Sequence, residues 1–338
     1  MHAVFAGLTT RDEIHLLDHV PDPRTKATSV AHLSAAGGPA TNAAVAFAAL
    51  SRASGGIDEG APASVSLLTA LGASPVAGAL SGELTGLGVD VMDAAQRSGG
   101  AGSEPALSSI IEHPAGRMVA STNRSVPTDP ALARQELVRD REAHGLPDVV
   151  LVDGHHPELA DLALRLGTRG APGTDPDPFA ELEDRPSHLR LLDGGSWKPA
   201  FVPLLGLIDV AVVSADFHPP LPGDAPGAVA DFLRGFGIAR IVRTDGANPV
   251  RWWWDGASGQ TPVPAVDDRP AVSTMGAGDV FHGALAWALA RAHAAGGEAP
   301  ADPDALLAFA GSVAALSTRS FGTRAWTAEG ALVDLAAS

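Results

Sequence analysis

The residues with the clearest capacity for chemistry are Ser273-Thr274-Met275-Gly276-Ala277-Gly278-Asp279, followed by Val280 to Ala290, an Ala/Leu-rich run of good helix formers. Small residues at a helix start leave backbone N–H groups uncovered. With the helix dipole, these groups form a site for an anion such as phosphate. A carboxylate beside such a site repels the anion, so Asp279 serves stability poorly there. It can instead accept a proton from a hydroxyl that attacks phosphorus. The same aspartate could cap a helix after a Gly-rich turn, and the stretch by itself leaves both uses open. Gly283, inside the run, predicts close packing at that point.

The elements that must position this stretch come from the rest of the chain. Residues 2–8 form an apolar run, a first strand, and Thr9, Thr10, Arg11 and Asp12 follow it. A second extended stretch begins at Ile14, Leu16 and Leu17. Polar residues just past a strand end are where α/β sheets place ligand contacts. Asp12 is therefore a candidate, with a solvated turn carboxylate as the alternative. Gly37-Gly38-Pro39-Ala40-Thr41-Asn42 leads into Ala43 to Leu50, a buried helix by composition. The glycine pair lets backbone approach a ligand, and Asn42 can both donate and accept hydrogen bonds. An amide at the start of a buried helix needs a partner, which makes Gly38 and Asn42 ligand candidates.

Residues 53–64 read as a surface insertion. A strand at 65–71, a helix at 76–87 and a strand at 88–91 then alternate as in a parallel sheet with crossover helices. Residues 108–112 and 117–121, around Pro114-Ala115-Gly116, read as a hairpin out of step with that alternation. They predict that some strands leave the main sheet to form a small β lid. Residues 148–152 form an apolar strand ending in Asp153-Gly154-His155-His156. Asp153 is the candidate there, because the adjacent histidines lack helical spacing and any Cys partner for a metal site. Residues 168–188 read as a surface loop. Strands follow at 189–192, 207–213 and 239–242, the last ending in Arg243-Thr244-Asp245-Gly246. Arg251-Trp252-Trp253-Trp254 reads as a hairpin strand. Its tryptophans must face alternate sides, which suits packing. Residues 305–316 supply a late helix. No linker divides the chain, so one domain over 1–338 is expected, with a lid from segments around 12–36 and 108–121.

Composition narrows the chemistry. The chain has 338 residues, 45% of them hydrophobic, enough for one large α/β core. Its 39 acidic and 23 basic residues give a formal charge of -16, which argues against nucleic acid or an anionic membrane as partner. With no cysteine there is no disulfide, thiolate nucleophile or Cys-based metal site, as suits a reducing compartment. No leader-like start and no apolar run of ~18 residues occurs, so a soluble, cytoplasmic protein is expected. A P-loop needs Gly-x4-Gly-Lys-Ser/Thr, and neither lysine, Lys26 or Lys198, follows a glycine. A dinucleotide fingerprint is missing after the first strand, as is a Gly-x-Ser-x-Gly elbow. What remains is a phosphate-accepting helix start, an upstream Gly-Gly/Asn element and strand-end carboxylates. Phosphoryl transfer asks for positioning, a base and electrostatic stabilisation, and these residues fit.

Two of these elements carry a resemblance. Gly37 to Asn42 resembles the Gly-Gly-x-x-x-Asn sugar-binding element of the PfkB (ribokinase-like) family of carbohydrate and nucleoside kinases. Ser273 to Ala286 resembles that family's Asp-Thr-x-Gly-Ala-Gly-Asp element and its helix. The resemblance implies an α/β fold, a ribokinase-like three-layer sandwich. Its central sheet is mostly parallel, with helices on both faces and a small β lid. It implies an ATP-dependent sugar kinase acting on a ribose-, fructose- or ketohexose-like hydroxyl. The alternatives are a nucleoside kinase of the same fold and a catalytically silent sugar-binding regulatory protein.

By the same resemblance, Asp279 is the base, and Gly276, Ala277 and Gly278 form the anion hole. Asp12, Gly37, Gly38 and Asn42 hold the sugar, with Asp153 facing it. Thr244 and Gly246 line the ATP site together with Gly276 and Gly278, while Gly311 and Ser312 flank the adenine. Mg²⁺ is expected with ATP rather than from a visible ligand set, and a homodimer through the lid is common among relatives. Ser273 stands where the family carries an aspartate that helps bind a monovalent cation, which leaves potassium (K⁺) without that ligand. The family's Asn-x-x-Glu element has no clear counterpart, its region being Ser214-Ala215-Asp216-Phe217. Gly72-Ala73-Ser74 replaces a more usual Gly-x-Asp.

Overall fold

Every residue of the first strand, β1 (His2–Ala6), is buried. The cause is a sheet covered on both faces: Ala3 and Phe5 enter one apolar cluster, Val4 and Ala6 another. The computed structural model describes residues 1–55, 63–96, 104–122, 126–168, 187–220, 225–264, 271–295 and 302–337. The other strands are β2 (Thr10–Leu16), β3 (Ala31–Gly37), β4 (Ser64–Thr69), β5 (Asp90–Asp93), β6 (Ala106–His113), β7 (Gly116–Ser121), β8 (Val149–Val152), β9 (Leu189–Gly194), β10 (Val210–Ser214), β11 (Arg240–Asp245), β12 (Asn248–Trp254) and β13 (Ala257–Thr261). The main sheet runs β13-β12-β11-β10-β9-β8-β1-β4-β5, parallel from β11 to β5, with β12 and β13 antiparallel at one edge. A separate sheet, β3-β2-β6-β7, is the small β lid.

The helices are α1 (Pro39–Ser54), α2 (Pro75–Gly86), α3 (Pro130–His144), α4 (Pro157–Leu164), the one-turn α5 (Val202–Leu205), α6 (Pro226–Arg234), α7 (Ala277–Ala294), α8 (Asp304–Ser317) and α9 (Gly330–Ala337). One cluster joins α1, α2, α7, α8 and α9 to one face of the sheet, and the other joins α3 to α6 to the opposite face. The result is the three-layer sandwich. Helix α1 is buried nearly all round and Ala-rich, and α7 crosses it closely. A Cβ on Gly283 would stand 2.3 Å from the Ala43 carbonyl oxygen and 2.8 Å from Ala46 Cβ. The close approach read from Gly283 is therefore present.

Several boundaries differ from the sequence reading, each for a local reason. Helices α1 and α2 start at Pro39 and Pro75, several residues or one residue earlier than expected. Proline at the first helical position has no N–H to leave unsatisfied. Asn42 therefore sits inside the first turn of α1. Ser74 caps α2, accepting a hydrogen bond from Ala77 N at 3.1 Å, so a hydroxyl there serves the fold. The strand expected from Ile14 begins at Thr10. Asp12 is consequently a strand residue, not a turn carboxylate. Trp252 and Trp254 pack into one cluster and Trp253 against the other, as alternation requires. Of the expected surface segments, residues 56–62 and 169–186 lie outside the described residues.

Candidate active site

The C-terminal ends of the parallel strands face the starts of α1 and α7, and Asp12, Asn42, Asp153 and Asp279 come together there. Gly276 caps α7 in a left-handed conformation, φ 69° and ψ 3°, which a side chain would strain. A Cβ there would lie 3.2 Å from Thr323 Cγ2 and 3.5 Å from Asn42 Nδ2. Nothing lies within 4 Å of a Cβ built on Gly278. The N–H groups of Gly278 and Asp279 belong to the first turn of α7, where the helix itself offers them no acceptor. Ser273 ties the preceding loop to the lid. Its Oγ donates to Glu112 Oε1 of β6 at 2.8 Å and accepts from Met275 N at 3.2 Å.

Asp279 lies against Asn42, whose Nδ2 donates to Asp279 Oδ2 at 2.7 Å. Desolvation by the surrounding protein pushes the Asp279 carboxyl up to about 8, and the Asp193 carboxylate adds to the rise. The Asn42 hydrogen bond opposes it, while Asp12 and Asp153 raise it further.

The amide oxygen of Asn42 has its own partner. Arg324 Nη1 donates to Asn42 Oδ1 at 3.0 Å and to Thr323 O at 3.0 Å. Its Nη2 donates to Ala36 O, and its Nε reaches Glu83 Oε1 at 3.3 Å. Glu83 Oε2 in turn accepts from Ala36 N at 2.9 Å. Burial lowers the Arg324 guanidinium, and Glu83 beside it acts in the opposite sense. Neither Arg324 nor Glu83 stood out in the sequence. Arg324 lies in an irregular segment after α8 with no motif around it, and Glu83 looks like any polar position of a surface helix.

The lid carries Asp12 to the same place. Its Oδ1 accepts from Thr10 Oγ1 at 2.6 Å. Burial raises its carboxyl, with Thr10, Arg324 and Ser108 opposing. A Cβ on Gly37 would be 1.9 Å from Asp12 Oδ2, so glycine is required for this approach. Gly38 has φ 106°, and a Cβ there would meet Leu8 O at 2.1 Å. The Gly-Gly pair thus lets β3 turn into α1 against the end of β1.

Asp153 bonds backbone at the strand ends. It is 1% exposed, and Oδ2 accepts from Leu8 N at 2.9 Å and Ala40 N at 3.2 Å. Oδ1 accepts from His155 N at 2.9 Å. These bonds join the ends of β1 and β8 to the start of α1, so Asp153 braces backbone beside the candidate site.

The expected nucleotide residues are more dispersed. Thr244 pairs with Ser214 across β10 and β11, and Gly246 has φ 55° in the β11–β12 turn. Gly311 and Ser312 lie on α8, and Ser312 Oγ donates to Ala308 O at 2.9 Å. Among the described residues, no hydrogen bond links these four to the Asn42–Asp279 cluster. No group of three or more His, Asp or Glu able to hold a metal occurs among the described residues.

Comparison with known proteins gives this geometry its context. Residues 222–329, which contain the Ser273–Asp279 element and Arg324, match the model of the pfkB family carbohydrate kinases. Part of the chain is thus similar to that family, and the chain as a whole shares its fold with solved ribokinases. Ribokinase from Giardia lamblia is 16% identical, with 98% of this chain and 97% of that one covered and a TM-score of 0.74. Arabidopsis thaliana ribokinase, solved with ribose and ATP, is 16% identical over 99% and 98%, with a TM-score of 0.64. Thermotoga maritima ribokinase is 16% identical over 99% and 98%, at 0.65. These findings support a carbohydrate kinase in general terms.

Proposed function

We propose that the protein is an ATP-dependent sugar kinase that uses Asp279 as general base. The observation that carries this reading is the 2.7 Å hydrogen bond between Asn42 and Asp279, residues of two sequence elements 237 positions apart. Stability gives little reason to hold a carboxylate at an anion-accepting helix start, whereas proton abstraction gives a direct one. A group raised to about 8 is also a stronger base, once ionised, than an ordinary carboxylate.

In the reaction, Asp12 and Asn42 hold sugar hydroxyls beneath the lid. Asp279 takes the proton of the acceptor hydroxyl as its oxygen attacks the γ-phosphorus. A new O–P bond forms, the bond to the β-phosphate bridging oxygen breaks, and ADP leaves. The N–H groups at the start of α7 stabilise charge on the moving phosphoryl group. Mg²⁺ bound to the ATP phosphates would neutralise charge on the leaving group. Thr244, Gly246, Gly311 and Ser312 would line the nucleotide, as the family resemblance implies.

All six residues of β7 are exposed, including Met118 at 53% and Val119 at 52%, which supports a homodimer through the lid. Among the described residues, no helix is long and apolar enough to cross a membrane.

The test is ADP release measured over pentoses, hexoses, ketoses and nucleosides with wild type and Asp279→Asn. Turnover of a sugar, lost by ~10²–10⁴ in the variant with sugar affinity retained, is expected. Near-wild-type turnover in the variant removes the assigned base. Turnover of nucleosides alone reassigns the substrate class, and turnover of nothing favours a regulatory sugar-binding protein.

A further inference from the structure

A buried pair of ionisable side chains lies directly under the helix start that carries Asp279. Asp193, near the end of β9, is 3% exposed, and His282, one turn into α7, is 4% exposed. Asp193 lies outside the motifs read from the sequence, and His282 falls inside the Ser273–Ala286 element with no role assigned to it there. The His282 ring meets three oxygens. Nδ1 lies 2.7 Å from Gly278 O, one turn back in its own helix, and 3.5 Å from Asp193 Oδ2. Nε2 lies 3.3 Å from Val212 O of β10. Val212 and Asp193 are register partners on adjacent parallel strands. One imidazole therefore ties the first turn of α7 to two strand ends. Carbonyl oxygens only accept, so holding both Gly278 O and Val212 O takes a hydrogen on each ring nitrogen, while Asp193 Oδ2 lies beside the ring without a hydrogen bond.

An apolar residue would fill this position in the core without burying polar groups, and buried polar groups are costly unless partnered. Val280, Phe281, Ala284 and Leu285 around it on α7 are all buried and apolar. Packing alone therefore does not call for a histidine over an aspartate. The carbonyl that His282 holds belongs to Gly278, an exposed residue of the anion-accepting turn, and Asp279 is the next residue.

We propose that Asp193 and His282 are positioning residues, a buried carboxyl–imidazole pair that anchors the first turn of α7 to the strand ends and so holds Gly278 and Asp279 in place for phosphoryl transfer. The proposal rests on the reading of Asp279 as the base. The pair also sets charge around that base. Asp279 is faced by Asp193 from β9, Asp153 from the end of β8, Asp12 from the lid and Arg324 from the C-terminal segment. Asp193 is faced in addition by His282, Lys198 and His155. Burial raises the Asp193 carboxyl, and His282 opposes the rise more than any other group.

Steady-state kinetics across pH for Asp193→Asn, His282→Gln and His282→Leu test the role. Leucine keeps the packing but makes none of the bonds. Its kcat is expected to fall roughly tenfold or more with sugar KM changed less than about threefold, and glutamine is expected to recover part of the loss. Asp193→Asn removes a negative charge facing Asp279, so the ascending limb of kcat/KM is expected to move to lower pH. Leucine and asparagine variants with kcat within about twofold of wild type and an unmoved limb would overturn the proposal. Nitrogen-edited NMR of wild-type His282 supplies a readout that needs neither activity nor a variant. Protons on both ring nitrogens are expected, and a single ring N–H would overturn the anchoring geometry. If wild type phosphorylates no sugar, that result strikes the kinase reading, while the NMR result still judges the pair.

Discussion

Arg324 donates to the amide oxygen of Asn42 at 3.0 Å, across 282 positions of the chain. Because Oδ1 is taken by a cation, Nδ2 is left to face Asp279, and the orientation of the amide is fixed from behind. Arg324 does this with a planar fork that also serves Glu83, Thr323 and Ala36. Lysine has no such fork. Both Arg324→Lys and Arg324→Met are expected to weaken sugar binding roughly 10- to 100-fold, the scale of a charged hydrogen bond lost to partly buried acceptors. Titration calorimetry with the accepted sugar measures this, and wild-type affinity in the lysine variant would show that charge alone suffices.

Asn42→Asp replaces a donor to Asp279 with a second carboxylate. The hydrogen bond that holds the Asp279 carboxyl down is lost, and a like charge is added, so its value must rise above about 8. The ascending limb of kcat/KM is expected to shift to higher pH, opposite to the shift for Asp193→Asn. An acid shift would mean that the two groups do not face each other in solution.

A raised carboxyl also has a cost in stability. Unfolded Asp279 releases its proton near 3.8, whereas the folded group holds it until about 8. Between those values the folded state binds more protons than the unfolded one, so this residue destabilises the fold increasingly as pH climbs from 4 to 8. Asp279→Asn removes the effect. The variant is expected to melt above wild type, by a wider margin at pH 8.5 than at pH 5, in paired thermal scans. An equal margin at both pH values would contradict the raised value.

Gly283→Val forces atoms into a space where Cβ alone would stand 2.3 Å from a backbone oxygen. Backbone cannot step aside as a flexible side chain does. A loss of about 1–3 kcal/mol in chemical denaturation is expected, the range for overpacked cores. Because α1 carries Asn42 and α7 carries Asp279, kcat is expected to fall with it. Unchanged stability would mean that the helices separate easily.

Much of the architecture was legible because its causes are local. Apolar runs bounded by polar turns marked the parallel strands, the 108–121 hairpin broke their rhythm, and Gly283 marked a close helix crossing. The Gly-Gly/Asn and Gly-Ala-Gly-Asp elements were legible because small residues beside a lone polar group have few uses in a core. Helix starts were placed late where a proline stands as the first helical residue. For Asp153 the backbone bonds were not legible, because a strand-end carboxylate looks the same in sequence whether it faces a ligand or bonds three backbone N–H groups. Arg324, Glu83, Asp193 and His282 stayed hidden because each acquires its role from a partner far away in the chain. His282 in particular sits in an ordinary helical run, and only the fold places a carboxylate and a foreign carbonyl around it.

The dependence of Asn42 on Arg324 has a consequence in time. A chain made from its N-terminus completes the strands of the lid and most of the main sheet well before residue 324 exists. Domains fold as they emerge, so the scaffold can take shape while the amide still lacks the partner that turns it toward Asp279. Competence to bind sugar should arrive as a late, separate event in synthesis, after the fold is already recognisable.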